Sequence, residues 1–496
     1  MKKKLLFWID SSLYNFFNAK FIQENLDCEI FAIYDITDNP KSYFKSQKIV
    51  NFTDTWFFHD EVKKPLKNPN EDYLNSFEQK FKINLWKLAY NERNFYKINK
   101  FYTFSSDQVL SILEQECRFF EKTLESIKPD FLILPQPYFH HDHILLRICQ
   151  KLGIKCLLIK VTNFDPNRCL IHEHDEYTPI IFPKSSIRND VSFDKIQNIL
   201  SSSKKFKRVI DIEKTNSFEK LTAVFKYLFN SNSNIHTHYT YYGRTKIKVL
   251  YTTFLMSLKG KIRTNFFNKN SISQIPSNEN FIYFPLHQEE EESLLIGAPF
   301  FCNQIEVIKN IVRSLPIGYK LYVKESPVIS TRDGRSISEY KELLKLPNLR
   351  LIHNSVNPHE LLKKCSLVIT IVGSTGFEAA CYQKPSIVLA DTSYGNLNTV
   401  KKMSNFEDLP FLIKNMLAEK FDYSDIFDYN DFMEKNSFSF NFYGIWDLIS
   451  KYFQYGGAYV DDKITDTKMK IFLEKYSDDF RPASNEYVKI IHNASD

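Results

Sequence analysis

Three short stretches of this sequence carry residue types whose order suits the handling of a phosphate. The longest is LVITIVGSTGFEAACYQKPSIVLADTSYG, Leu367 to Gly395. An apolar strand pattern runs into Gly373-Ser374-Thr375-Gly376 and a helical pattern follows at once. Such a junction leaves backbone N–H groups without helical partners, places the helix dipole behind them, and lets an anion approach closely over the glycines. Ser374 and Thr375 add hydroxyl donors, and Glu378, in the first turn, is placed to accept hydrogen bonds from ribose hydroxyls. The plainer reading is a tight turn with an N-cap, in which Glu378 only complements the dipole. The strand expected after Lys384-Pro385 puts the motif in an α/β context that favours the phosphate site.

The second stretch is YFPLHQEEEES, Tyr283 to Ser293, where a strand ends in proline and presents His287 and then four carboxylates. His287 suits a phosphate or a donor sugar, and one of Glu289 to Glu292 could serve as a base, although an acidic run is also the ordinary start of a solvated helix. The third, LYVKESPVISTRDGR, Leu321 to Arg335, ends a strand with Lys324 and carries Arg332 and Arg335 in the loop beyond. Cations at strand ends that face a cleft suit a diphosphate or an acidic sugar; each arginine could equally be surface charge.

Two histidine clusters, HHDH (His140 to His143) and HEHD (His172 to Asp175), lie nearer the N-terminus. Their spacing matches no standard metal site, so no metal is assigned to them. They read instead as polar residues lining a cleft for a second substrate. Asp10 and Asp142, each placed just after an expected strand, are the candidates for a general base, which must come within hydrogen-bond reach of the group it deprotonates.

Two alternating α/β regions must position these residues. In the first two hundred residues, Lys4–Asp10, Cys28–Tyr34, Lys48–Phe52, Phe131–Leu134 and Lys155–Lys160 read as strands, and Asp107–Ile127 and His143–Leu152 as helices, the latter closed by Gly153. The second region has strands at Phe281–Phe284, Lys320–Val323, Leu349–Ile352, Leu367–Val372 and Ser386–Leu389. Helices at Gln304–Ser314, Ile337–Leu344, Pro358–Lys364 and Gly376–Gln383 separate them. The expected division is 1–200, an acceptor-side Rossmann-like domain; 201–280, a basic, aromatic, helical linker; 281–420, a nucleotide-side Rossmann-like domain; and 421–496, a helical tail. Two such α/β halves place a ligand cleft between them, at the carboxyl ends of the strands.

Composition narrows the class. A chain of 496 residues exceeds one core, and its 43% hydrophobic and 25% charged residues are those of a globular protein. The opening run Leu5 to Ile9 is broken by Asp10 and reads as a buried strand rather than a leader. No stretch approaches a membrane span. Eight cysteines without a CxxC pair look like reduced, buried thiols of a cytosolic protein. The net charge of +6 is concentrated: Leu221 to Asn270 holds eight Lys or Arg and no acid. There Ile247, Leu250, Tyr251, Phe254, Leu255, Leu258 and Ile262 recur at helical spacing. This basic amphipathic helix reads either as a linker packed on the domains or as a dock for an anionic membrane surface or a lipid-linked acceptor.

Taken together, FPLH with its acidic stretch, LYVKE-x-P, the Arg-containing loop, PNLRLI, HELLKKCSLVIT, GSTGFEA and QKPSIVL resemble the capsule polysaccharide synthesis family, whose members include Kdo transferases of GT-B fold. The resemblance covers Phe281 to Gly395, about 115 residues. It implies a nucleotide held by Lys324, Ser374, Thr375 and Glu378. It also places His287 and Glu291 where the family has its histidine and the glutamate of a Pro-Glu pair. Ser326 stands where the family commonly has histidine and Glu290 where it has proline. The first departure removes a phosphate ligand or proton donor, which implies a different donor or a reduced or lost activity.

The expected function is therefore transfer of a sugar from a nucleotide-sugar, with a CMP-linked ulosonic acid such as CMP-Kdo favoured by the resemblance, to a growing capsule or lipopolysaccharide glycan. The site would be Lys324, Arg335, the Gly373–Gly376 turn and Glu378 around the nucleotide, with Asp10, Asp142, His287 and Glu291 as catalytic candidates and no cofactor required. The expected place is the cytosol, with peripheral contact at the inner membrane surface. Two rivals are a sugar-nucleotide epimerase of the UDP-GlcNAc 2-epimerase type, against which the basic insertion argues, and a non-catalytic homologue that scaffolds polysaccharide assembly. Nucleic-acid binding is disfavoured because the basic segment is short and no recognised motif accompanies it.

Overall fold

The computed structural model describes all residues except 1, 37, 64, 66–67, 98, 174–177, 185–191, 203–223, 226–227, 230–238, 240–241, 290, 326–334, 454–463 and 495–496. Its strands form two sheets. The first contains β1 (Lys3–Asp10), β2 (Cys28–Asp35), β3 (Asp54–Phe57), β4 (Phe131–Leu134), β5 (Lys155–Val161), β6 (Arg168–His172) and β13 (Phe438–Ser439), in the order β13-β6-β5-β4-β1-β2-β3. β1 to β5 pair in parallel, and β6 and β13 extend one edge antiparallel. The second sheet is parallel throughout: β7 (Asn280–Pro285), β8 (Tyr319–Lys324), β9 (Leu349–Ile352), β10 (Leu367–Thr370), β11 (Ser386–Val388) and β12 (Val400–Lys402), in the order β12-β11-β10-β7-β8-β9. The protein is an α/β fold with two Rossmann-like sheets, as the alternation of strand and helix implies.

The near-continuous apolar runs of β1 (LLFWI) and β4 (FLIL) follow from burial on both faces. One face of the first sheet packs with the helix Ser106–Ile127 through Ile112, Phe120 and Leu124. The other is covered by Phe16 and Phe17 of the helix Tyr14–Asn25 together with Phe472, Phe480 and Tyr487 of the helix Asp466–Asn493. The region beyond residue 437 thus returns to the first sheet, adding β13 to its edge and a helix to its face.

Two expected elements differ. Lys48–Phe52 is not a strand: the Gln47 side-chain oxygen accepts the N–H groups of Ile49 and Val50, so the backbone turns there and the ladder begins only at Asp54. The helix expected from His143 begins at His140, because the Asp142 carboxylate accepts the N–H groups of Tyr138 and Phe139 and fixes the start a turn earlier. Asp142 is therefore a first-turn helical residue, not one that directly follows a strand.

Candidate functional site

In the second sheet the strand order changes direction between β10 and β7; the Gly373 and His287 segments leave the sheet at that point, and the Lys324 segment leaves it one strand further on. His287 follows β7, Lys324 ends β8 and Gly373 follows β10, so all three stand at the carboxyl ends of adjacent strands, where open parallel sheets bind ligands. His287 is buried, and its Nε2 lies 3.4 Å from the N–H of Val372, which donates to it. Burial and then the neighbouring Arg335 charge push this imidazole down to about 4, so it is neutral at physiological pH. With Nε2 accepting, Nδ1 carries the proton and has no partner among the described residues.

Lys324 is 3% exposed, and its ammonium donates to the Asn354 carbonyl at 3.1 Å. Burial pulls it down to about 8. The adjacent carboxylate, Glu325, is committed elsewhere: it accepts from the Arg335 guanidinium and the Tyr340 hydroxyl, and burial raises its pKa. Arg335 also donates to the His287 carbonyl at 3.1 Å and is itself buried. This arginine braces the ends of β7 and β8 against each other. Arg332 and Ser326 lie outside the described residues.

The turn before the helix Thr375–Cys381 owes its glycines to close approach. A Cβ on Gly373 would stand 2.9 Å from Thr370 Oγ1 and 3.0 Å from His287 Nε2, and one on Gly376 would stand 2.6 Å from the Tyr394 hydroxyl, which donates to the Gly373 carbonyl. Gly376→Val is accordingly expected to displace Tyr394 and lower stability by about 1–3 kcal/mol, read as a fall in Tm; an unchanged Tm would show that Tyr394 moves freely. Ser374 does not cap the helix: its hydroxyl donates to Glu378 Oε1 at 2.9 Å. With only seven residues in that helix, the dipole behind the turn is short.

The first sheet has its own change of direction, between β4 and β1, and polar side chains gather there too. Asp10 ends β1, Asp35 ends β2, His59 follows β3, and His140 to Asp142 open the helix after β4. Asp35 accepts from His59 at 2.7 Å and faces His141 at 3.4 Å. Burial would raise Asp35, but the facing His141 and the hydrogen bond from His59 hold it well below the usual carboxylate range. Asp10 is pushed up to about 6 by burial, with the Asp35 and Asp142 charges adding to the effect and Ser12 hydrogen bonds opposing it. Its Oδ1 accepts both the N–H and the hydroxyl of Ser12, at 3.0 and 2.5 Å.

His140 sits deeper, between Glu92 and Glu116, each 2.9 Å away. Burial works against its charge, but the Glu116 and Glu92 carboxylates win and raise it to about 10. Ligand atoms of Glu116, His140 and His141 fall within 4.8 Å of one another. Both His140 nitrogens already face carboxylates, so protons balance the charge as the cluster stands. Of HEHD, His172 lies in β6 and residues 174–175 are outside the described residues.

The two halves meet through these loops. His143 lies 3.1 Å from Glu292, Asn163 donates to Ser393 at 3.1 Å, and Ile180 N–H donates to the Ser393 carbonyl at 2.8 Å. Among the described residues of the acidic run, Glu292 rather than Glu291 is thus the buried acid; Glu291 is exposed. A cavity of about 710 Å³ opens beside the His143 contact, lined from the first half by Lys82, Lys87, Arg147 and Lys151 and from the second by Glu292 and Gly297. Asp35, His59, Glu92 and Glu116 went unread in the sequence. Asp35 had a signal, since CEIFAIYD repeats the form of KKLLFWID, an apolar strand ending in aspartate.

Residues 191–397 match the family model described as capsule polysaccharide biosynthesis protein. No curated relative matches the chain. Similar solved structures include a putative UDP-N-acetylglucosamine 2-epimerase from Listeria monocytogenes, with 11% identity over 86% of this chain and 91% of that one and a TM-score of 0.26. Another is the KpsC beta Kdo 2,7 transferase of Thermosulfurimonas dismutans, with 11% identity, 66% and 81% coverage and a TM-score of 0.31. A third is UDP-GlcNAc 2-epimerase from Neisseria meningitidis bound to UDP-GlcNAc, with 15% identity, 90% and 97% coverage and a TM-score of 0.26. Across residues 191–397, which contain β7, β8, β10 and the Gly373–Gly376 turn, the chain carries the pattern of the capsule polysaccharide biosynthesis family.

Proposed function

We propose that the protein is a glycosyltransferase of surface-polysaccharide synthesis that takes a sugar from a nucleotide-sugar, with a CMP-linked ulosonic acid favoured by the family pattern. The observation that carries this reading is the buried Lys324 ammonium at the carboxyl end of β8, hydrogen-bonded to the neutral Asn354 carbonyl, one strand from the β7 end that leads to His287. A buried cation in such a place is best satisfied by an anion, and a donor phosphate supplies one. Glu378 and Ser374 then take the ribose, and a glycan acceptor lies towards the first half, next to the cation-lined cavity.

In this scheme Asp10 accepts the proton of the acceptor hydroxyl as its oxygen bonds to the anomeric carbon. The bond from that carbon to the donor phosphate oxygen breaks, and Lys324 and the turn stabilise the charge that develops on the phosphate. Asp142 is the weaker candidate for base, because one of its oxygens is spent on two backbone N–H groups. Calorimetric titration of CMP, UDP, GDP and ADP tests the site. One nucleotide is expected to bind selectively, and Glu378→Ala to weaken it by roughly tenfold, the worth of a hydrogen bond to a charged group. No binding at millimolar concentration would remove the reading and leave a scaffold role; binding without turnover of CMP-Kdo would remove only the donor.

A further inference from the structure

The helix Lys246–Asn270 is anchored at its two ends, and between them one side of it is exposed. Near its start, Lys248 donates to the Phe101 carbonyl of the first half at 2.7 Å. Near its end, Phe267 is buried against Tyr340 of the second half, and Asn268 pairs with His353 at 3.1 Å. Phe267 is its one buried residue among those described. Ile247, Tyr251, Phe254, Leu258 and Ile262, spaced to fall on one side of a helix, are 80, 62, 62, 43 and 62% exposed. That row is about 22 Å long at helical rise. The run from Val249 to Leu258 carries no charge, and Lys246, Lys248, Lys259, Lys261 and Arg263 flank it with no acid anywhere on the helix. The start of the helix is bonded to a further apolar segment: Lys246 donates to the Leu228 carbonyl at 2.6 Å, and Phe229, next in the chain, is 72% exposed.

We propose that this helix docks the protein on the surface of an anionic bilayer. Five large apolar side chains in a row are stabilised by leaving water, and the exposed Lys259 and Lys261 beside the row suit the charge of anionic lipid headgroups. A second copy of the chain fits less well, since two such helices would bring like charges together. Insertion across the bilayer is not the mode, because no helix among the described residues is long and apolar enough to cross a membrane.

Sedimentation of the full chain with vesicles tests it. Vesicles of phosphatidylcholine mixed with phosphatidylglycerol are expected to carry the protein down, those of phosphatidylcholine alone much less, and added salt to release it. The triple variant Tyr251→Ser, Phe254→Ser, Leu258→Ser, whose positions are exposed, is expected to keep its Tm and lose vesicle binding by tenfold or more. Lys259→Gln with Lys261→Gln should weaken binding by about fivefold per lysine. Undiminished binding by the triple variant would overturn the proposal. So would a wild type that ignores vesicles but self-associates through the stripe.

Discussion

Asp10→Asn is expected to lower kcat by about 10²- to 10⁴-fold, the usual contribution of a general base, while leaving nucleotide affinity unchanged. The wild-type carboxyl titrates at about 6, so the base is present above that pH and lost below it, and kcat/KM should rise with pH through about 6. The variant should lose that acid limb. Its stability should move the opposite way. A carboxyl raised from 3.8 to about 6 by folding favours the folded state fully below the lower value and loses that benefit as pH rises through the higher one. At pH 7 the charged aspartate is therefore a burden, and asparagine, which can still accept from Ser12, should raise stability by about 1–3 kcal/mol. A higher Tm with lost turnover would mark a residue kept for chemistry at the expense of the fold. Turnover undiminished in Asp10→Asn would end the assignment and return attention to Asp142.

Lys324→Met should lower kcat by about 10²- to 10³-fold, the typical loss when one electrostatic stabiliser of a departing group is removed. Methionine matches the stem in length and apolar character, so the burial around Lys324 is retained. The lysine is lowered from 10.5 to about 8, so its charge is lost as pH rises through about 8 and the wild-type rate should fall there. Together with the Asp10 limb this gives a bell between about 6 and about 8. His287, at about 4, titrates outside that window. The methionine variant should lack the alkaline limb; a limb that persists would belong to another group and would sink the role given to Lys324.

The second half was legible almost element by element, and the reason is physical. Gln304–Ser314, Ile337–Leu344 and Pro358–Lys364 each follow Asn or Ser caps that accept backbone N–H groups, and caps are local chemistry. What the sequence hid was pairing at a distance. Glu325 looked like a neighbour of Lys324 but pairs with Arg335 and Tyr340, and Glu292 meets His143 across 149 positions. Arg335 was read as a cation for phosphate because its brace to the His287 carbonyl depends on where β7 ends. Asp142 was misplaced because its carboxylate starts a helix. The histidine cluster was visible as a string of types, but its order, with His140 held between two glutamates and His141 beside Asp35, came only from the strands that converge on it.

The covering of the first sheet sets an order in time. Phe17 rests on Phe472 and Phe480, residues made some 450 positions later, whereas the second sheet is complete within residues 280–402. During synthesis, the half begun first must wait with Phe17 and Phe21 uncovered while the half begun second closes its own core. Slow emergence of residues 466–493 would lengthen that wait. The first half, not the second, is then the part whose nascent form most needs shielding from aggregation.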